Sequence, residues 1–548
     1  MGVFLTMPKL DMSMAKGTIV TWLKKEGEAV SPGEYIFEVE TGKVSIQVDY
    51  TEKSGTVLKY YYEEGDNVDV GKIIAFIGQD GEQIPLIDEL EIIEENSNQS
   101  ADLQYDYDIV IIGGGPGGYN CAIKSAQYGK KVMIIEESEL GGTCLNRGCI
   151  PTKSLISNAN VLDIVMNSSQ MGISFETLSF DFLNAVKRKD EVVDSLRKDM
   201  KRVLSHNGID TINAKAELIS SHTISVDDKT ISANYIVIAT GSKAKDIEIK
   251  NDGSVTFYKG EEVLSLSEIP QSIVIEKCGV IGIEIAYILR TFGSQITIIS
   301  SEDSILPYAD EDIVKILEKD LREKNVTIIK NSHITEFRDK NAFLSNGESI
   351  SCEHFLIAED REAVIPKSSE SMILDEKKYI RIDEYMKTEL PNIYAIGDCT
   401  GKMFTAQAAS KQGTQLAENL FDKPSALTYE YIPNCIFSQP EAAWLGITES
   451  EARLRKIPIK ISKRNYASVG KALADNKTKG FVKVIADSRW DEILGVHIVG
   501  ANATEIIAQA AIAVSSELCV SDIARTAFAH PTFSEAFMSA CDELTYKK

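Results

Sequence analysis

The sequence predicts a multi-domain chain: a small β-sandwich first, then a larger α/β part built around two dinucleotide-binding units. The stretches EGEAVSPGEYIFEVE from Glu26 and EGDNVDVGKIIAFIG from Glu64 repeat at an offset of 38 residues, which suggests a two-fold array of short strands. A buried-strand pattern, YDIVII at Tyr107–Ile112, runs directly into Gly113-Gly114-Gly115-Pro116-Gly117-Gly118 and a helical stretch. A second strand, turn and helix follow in SIVIEKCGVIGIEIAYILRTFG from Ser272.

A chain of 548 residues has room for several cores. Its 43% apolar and 26% charged residues are ordinary for a globular protein and exclude a disordered or fibrous one. No apolar run approaches the roughly 18 residues that span a membrane. The start, MGVFLTMPKL, lacks a basic segment followed by an apolar one, so the cytoplasm is the expected compartment. The net charge of −24 argues against nucleic-acid binding. Nine cysteines, an odd number, do not make a disulfide scaffold, and only Cys144 and Cys149 are suggestively spaced. No metal site is expected.

Within residues 1–80 the segments KGTIVTWLK and SGTVLKYYY also lie 38 apart. Between the halves, FEVETGKVSIQV alternates into Thr41-Gly42-Lys43 and resumes at Val44, Ile46 and Val48. This pattern predicts a hairpin with Gly42 and Lys43 at its tip. The segment from MPKLDMSMAKGTIV to IAFIGQDGE resembles a lipoyl domain, and the resemblance implies lipoate in amide linkage on Lys43. Biotinyl carriers have Met on both sides of the lysine; here the flanks are Gly42 and Val44. Gly42 stands where lipoylated relatives usually carry Asp. Residues 81–104 are acidic and polar and read as an extended tether, with a short ordered segment near Ile84 to Ile93.

The turn after Tyr107–Ile112 has the spacing G-x-G-x-x-G in its proper context. Gly113 permits the tight turn, Gly115 lets the backbone approach a pyrophosphate, and Gly118 lets the helix pack close. The next strand, KVMIIEE, ends in Glu136, placed to bond an adenosine ribose. Then comes GGTCLNRGCIPTK, with Cys144 and Cys149 near a helix start, where a thiolate is favoured.

The string GGTCLNRGCIPTK resembles the redox motif of the flavin disulfide reductases, and the resemblance covers essentially all of residues 105–548. It implies FAD-dependent dithiol–disulfide chemistry like that of dihydrolipoyl dehydrogenases. Cys144 would exchange with substrate and Cys149 would face the flavin. The resemblance also implies FAD contacts at Thr143, Lys153, Ser242, Asp398 and Ala406, beside Gly113, Gly115, Gly118 and Glu136. Glu284 would partner Lys153. In AFAHPTFSEAF, His530, oriented by Glu535, would accept the dithiol proton in the other subunit of a homodimer. Thiolate is the attacking species and imidazole titrates near neutral pH, so the chemistry suits the residue. The implied domains are FAD-binding at 105–254, NAD-binding-like at 255–375, a central FAD segment at 376–424 and α+β dimerisation at 425–548.

The implied NAD site keeps Gly279 and Gly282 but departs elsewhere. Lys277 replaces the first glycine, Ser300 ends the strand where relatives have Glu, and Glu359-Asp360-Arg361-Glu362-Ala363-Val364 replaces a V-G-R-R-P-N string. These changes leave two readings open: a site lost to NAD, or drift in a site that still works. Gln407 also replaces a histidine common in relatives.

Three functions follow. The first is reoxidation of dihydrolipoyl groups through Cys144 and Cys149, with NAD as final acceptor. The second keeps the flavin–dithiol half with a different redox partner. The third is a lipoyl-bearing scaffold of a 2-oxo acid dehydrogenase or glycine cleavage complex. Expected partners are a second copy and lipoyl domains of this or neighbouring chains.

Overall fold

The structure, a computed structural model, describes residues 3–8, 16–40, 45–50, 54–79, 82, 84, 105–227, 229–358 and 361–546. The chain forms two compact units, Met1–Gln104 and Tyr105–Lys548.

The first unit is the expected β-sandwich of two four-stranded sheets. One orders Val3–Thr6, Ile73–Gly78, Gly55–Tyr60 and Ala29–Val30; the other orders Ser45–Asp49, Tyr35–Glu40, Lys16–Trp22 and Asn67–Asp69. The sequence repeat is a structural two-fold. Gly27 and Gly65 take φ of 90° and 97°, a conformation that glycine alone adopts without strain. Gly27 N–H donates to Val57 O and Gly65 N–H to Ile19 O, each at 2.7 Å. Glu26 accepts from Tyr60 N at 2.7 Å and Glu64 from Trp22 N at 2.8 Å, the same bond made twice. The symmetry-related rings of Trp22 and Tyr60 stack at 3.7 Å. Ile19, Phe37, Val57 and Ile74 fill the space between the sheets. Lys43, its neighbours Thr41, Gly42 and Val44, and nearly all of the 81–104 tether lie outside the described residues. The strands flanking the hairpin pair Glu40 with Ser45.

The second unit holds the expected α/β architecture. Asp210–Asn213, Val132–Glu136, Tyr107–Ile112, Lys229–Ile238 and Ile393–Ala395 run parallel in one sheet. A second parallel sheet orders Thr256–Lys259, His354–Ile357, Ser272–Glu276, Gln295–Ile299 and Thr327–Ile329. The runs YDIVII and SIVIE are apolar almost throughout because strands covered on both faces bury alternate residues equally. A third, antiparallel sheet contains Ala442–Gly446, Ile493–Gly500, Gly480–Asp487 and Ile459–Asn465. Its core is shared with the helices Ala503–Ser515 and Glu535–Tyr546, giving an α+β domain.

The helix Cys149–Met166 ties these parts together. Leu155, Ile156 and Ala159 share one apolar core with Ile283 and Tyr287 of the helix Gly279–Thr291. Tyr287 donates to Asn160 at 2.7 Å within that contact. Among the described residues no helix is long and apolar enough to cross a membrane.

Candidate active site

The strand Tyr107–Ile112 delivers its chain into a turn that only glycine can make. Gly113 has φ +111°, and a Cβ there would lie 2.3 Å from Ala239 O. A Cβ on Gly118 would lie 1.9 Å from Gly113 O, so the helix Pro116–Gln127 packs against the turn only because that carbon is missing. By contrast, a Cβ on Gly115 would meet only Gly142 Cα, at an ordinary 3.8 Å, so side-chain room is not what this glycine at the helix N-terminus supplies. Such a terminus favours an anion. Glu136 accepts from Gly114 N at 2.7 Å and from Ser138 N at 2.8 Å, so its carboxylate is held rigidly beside the turn.

Asp398 lies on the far side of the sheet ends, just after the strand Ile393–Ala395. It accepts from Ser242 Oγ at 2.6 Å, and burial raises its carboxyl pKa. Arg361 donates to Ser242 Oγ at 2.7 Å and to Glu261 at 2.8 Å. The resulting Glu261–Arg361–Ser242–Asp398 chain was not visible in the sequence, where its members are far apart. Gln412, also unforeseen, accepts from Gly397 N at 2.6 Å. Ala406 is the first residue of the helix Ala406–Phe421, capped by Thr405. Gln407, in the place of a histidine, is exposed and donates to Pro433 O at 2.8 Å.

The glycine turn, the helix terminus and two carboxylates suited to sugar and ribityl hydroxyls fit FAD. The second dinucleotide unit lacks this set: Lys277 occupies its turn and Ser300 its strand end, and these residues do not fit NAD. Glu359 and Asp360 lie outside the described residues.

Cys144 sits in the short helix Gly142–Asn146, which also holds Thr143, and Cys149 opens the helix Cys149–Met166. Both are part-buried free thiols in this structure. The two thiols share a hydrogen bond. Together with the Lys153 ammonium, that bond holds Cys149 below the usual thiol range. The same bond, then burial, pushes Cys144 up. The reduced pair therefore favours a thiolate at Cys149 over one at Cys144. Tyr119, the residue after the glycine motif and not singled out in the sequence, has its phenol pKa raised by burial and then by its nearness to the two sulfurs.

Lys153 is held by Glu284 at 2.8 and 3.0 Å and lies 4.5 Å from the Phe437 ring centroid. Glu284, only 2% exposed, also accepts from Phe437 N at 3.0 Å. Lys153→Met is expected to move the pH midpoint of Cys149 alkylation upward, since the thiolate survives falling pH with help from that ammonium. It should also cost about 3–5 kcal/mol in chemical denaturation, because Glu284 is left buried without its counter-charge. Lys153→Arg should recover most of the stability.

His530 and Glu535 stand apart on the C-terminal domain. His530 Nδ1 lies 2.9 Å from Glu535 Oε1, and the His530 side chain is 78% exposed. Glu535 also accepts from Thr532 N at 2.9 Å; its bond to His530, then that one, hold its carboxyl below the usual range. The Nδ1 contact leaves Nε2 facing outward.

Comparison with known proteins agrees with this geometry. Residues 107–413 match the pyridine nucleotide-disulphide oxidoreductase family, and residues 432–541 match its dimerisation domain. Residues 4–77 match the biotin/lipoyl family described as biotin-requiring enzyme. Dihydrolipoyl dehydrogenase of Chlamydia trachomatis serovar D is 35% identical over 443 residues, covering 79% of this chain and 95% of that protein. The Bacillus subtilis (strain 168) dihydrolipoyl dehydrogenase is 34% identical over 461 residues, covering 79% and 97%. The HOCl-induced flavoprotein disulfide reductase RclA from Escherichia coli superposes with a TM-score of 0.71 at 28% identity, covering 81% of this chain and 100% of that one. LpdA from Mycobacterium tuberculosis, at 24% identity and a TM-score of 0.73, shares the fold over 80% of this chain and 99% of its own. With its glycine turn, its cysteine pair and these relatives, the chain belongs to the pyridine nucleotide-disulphide oxidoreductase family and is an oxidoreductase acting on sulfur groups.

Proposed function

We propose that the protein oxidises dihydrolipoyl dithiols through the Cys144–Cys149 pair, with FAD held by the first dinucleotide-binding unit. The observation that carries this reading is the hydrogen bond between the two thiols beside Lys153, which Glu284 holds at 2.8 and 3.0 Å, an arrangement that favours the thiolate at Cys149. Starting from the oxidised pair, a substrate thiolate attacks the Cys144 sulfur. Cys149 leaves as the thiolate that Lys153 already favours. The second substrate thiol then attacks the mixed disulfide, the substrate disulfide closes, and Cys144 departs and takes a proton. His530 of a partner subunit, fixed by Glu535, accepts the proton of the attacking thiol. Bound FAD supplies the two-electron acceptor for the reduced pair. The contacts proposed for it are Gly113, Gly115, Gly118, Glu136, Thr143, Lys153, Ser242, Asp398 and Ala406.

The match to a dimerisation domain supports a homodimer, and the exposure of His530 in a single chain suits a site completed by two. NAD as final acceptor, the first expectation, meets a unit whose residues do not fit it. That mismatch favours the second reading, in which the same flavin–dithiol chemistry serves another acceptor. The intact cysteine pair and the His530–Glu535 dyad speak against a purely scaffolding role.

The first unit is proposed as a lipoyl carrier, attached at Lys43. Its partners would be this chain's own cysteine pair or the lipoyl machinery of a 2-oxo acid dehydrogenase or glycine cleavage complex. Incubation with lipoic acid, ATP and a lipoyl ligase should add one lipoyl mass to the wild-type protein and none to Lys43→Arg. Modification of Lys43→Arg, or none of the wild type, would refute the carrier assignment. The central reaction is tested by anaerobic reduction of the bound flavin with dihydrolipoamide.

A further inference from the structure

The chain contains the same strand–turn–helix unit twice, and the two copies differ where a dinucleotide would bind. Gly113 corresponds to Lys277: each follows a strand whose last carbonyl accepts from an alanine, Ala239 N to Ile112 O at 2.8 Å and Ala358 N to Glu276 O at 3.2 Å. Gly113 has φ +111°, whereas Lys277 has φ +50°. A residue with a Cβ is confined near the latter value when φ is positive, so the lysine forces a different turn.

The helices then begin differently. In the first copy Gly115 is extended, with ψ −174°, and the helix starts at Pro116. In the second, Gly279, the residue that corresponds to Gly115, has φ +45°, and the first helical hydrogen bond already runs from Gly282 N to Cys278 O at 2.6 Å. The second turn therefore does not present the extended backbone that Gly115 gives the first. The packing glycines report the same change. A Cβ on Gly118 would strike the turn carbonyl of Gly113, whereas one on Gly282 would lie 2.7 Å from the Cys278 side chain.

The strand ends differ as well. Glu136 reaches the Gly114 amide of its turn. Its counterpart Ser300 instead donates to Ser304 O at 2.8 Å and accepts from Glu302 N at 3.1 Å, so its hydroxyl serves its own loop. What the second copy retains is the helix itself. That helix carries Glu284, and Glu284 holds Lys153 beside the cysteine pair.

We infer that the second dinucleotide-binding unit no longer takes NAD or NADP and serves to position the Glu284–Lys153 pair. The inference rests on the reading of the chain as a flavin-dependent dithiol oxidoreductase, and the test separates the two. The holoenzyme, kept anaerobic, is mixed in parallel with NADH, NADPH and dihydrolipoamide while the flavin absorbance is followed. Binding of NAD and NADP is measured by calorimetry on the same preparation. The wild type is expected to give no heat at millimolar nicotinamide nucleotide and no bleaching with NADH or NADPH, yet to bleach with dihydrolipoamide. Lys277→Gly combined with Ser300→Glu is expected to gain NAD binding by at least tenfold while its dithiol-driven bleaching stays unchanged. Retained flavin absorbance shows that the variant is folded. Nucleotide binding or NADH bleaching by the wild type would overturn the inference, as would a folded double variant that still binds no NAD. Absence of bleaching by dihydrolipoamide would instead count against the dithiol reading.

Discussion

Cys149→Ser is expected to lower dihydrolipoamide-driven flavin reduction on the order of 10⁴-fold or more, the scale on which one member of a jointly acting catalytic unit fails. The serine leaves no sulfur to form the pair's disulfide, so the substrate thiolate has no disulfide to attack and no mixed disulfide forms. Cys144→Ser should abolish turnover to the same extent, but for a different reason and with a different signature. It removes the sulfur that substrate attacks while leaving Cys149 beside Lys153. Because the shared hydrogen bond is the largest cause of the depressed Cys149 pKa, its weakening in Cys144→Ser should raise the pH at which Cys149 alkylates. Alkylation against pH, read by mass spectrometry, distinguishes the two variants. Equal alkylation profiles for the wild type and Cys144→Ser would contradict the role of the shared hydrogen bond in favouring the Cys149 thiolate.

His530→Ala is expected to reduce the same rate by about 10²–10⁴-fold, the usual contribution of a positioned general base. Without the imidazole, substrate thiol must ionise on its own. A free thiol has a pKa of about 8.5, so the variant's rate should climb as pH rises through that region. Glu535→Gln keeps the imidazole but replaces the carboxylate that fixes it, and should fall less. Subunit mixing gives the sharper result. A heterodimer of Cys144→Ser and His530→Ala chains has one doubly damaged site and one intact site if His530 acts across the interface. Mixed and refolded subunits should therefore regain activity that neither variant shows alone. No recovery, with heterodimers demonstrated by mass, would place His530 in the same chain's site or outside the chemistry.

Much of this architecture was legible in the chain. The 38-residue repeat became a two-fold in which Glu26 and Glu64 make the same bond, because repeated sequence repeats its local hydrogen-bond needs. GGGPGG was readable because glycine is demanded where a carbonyl stands within 2.3 Å of the missing Cβ. Cys144, Cys149 and Lys153 lie within one short string, so their proximity followed from one helix start. The Arg361 network was not legible. Arg361 was noticed only as part of a string departing from the family's pattern, and its partners Ser242 and Glu261 lie 119 and 100 residues away. Contacts at that separation depend on how sheets pack, which local pattern does not encode. The turn at Lys277 stood between: the sequence showed a misplaced side chain, but only the backbone showed Gly279 at φ +45° where Gly115 is extended.

The most direct test of the central claim is an anaerobic titration of the flavin-loaded protein with dihydrolipoamide. Oxidation of the dithiol through Cys144 and Cys149 predicts, as the pair is reduced, a long-wavelength absorbance from the Cys149 thiolate beside the still oxidised flavin, which Cys149→Ser lacks, and loss of the oxidised-flavin spectrum as more dithiol is added. A flavin spectrum unchanged by excess dithiol would contradict it.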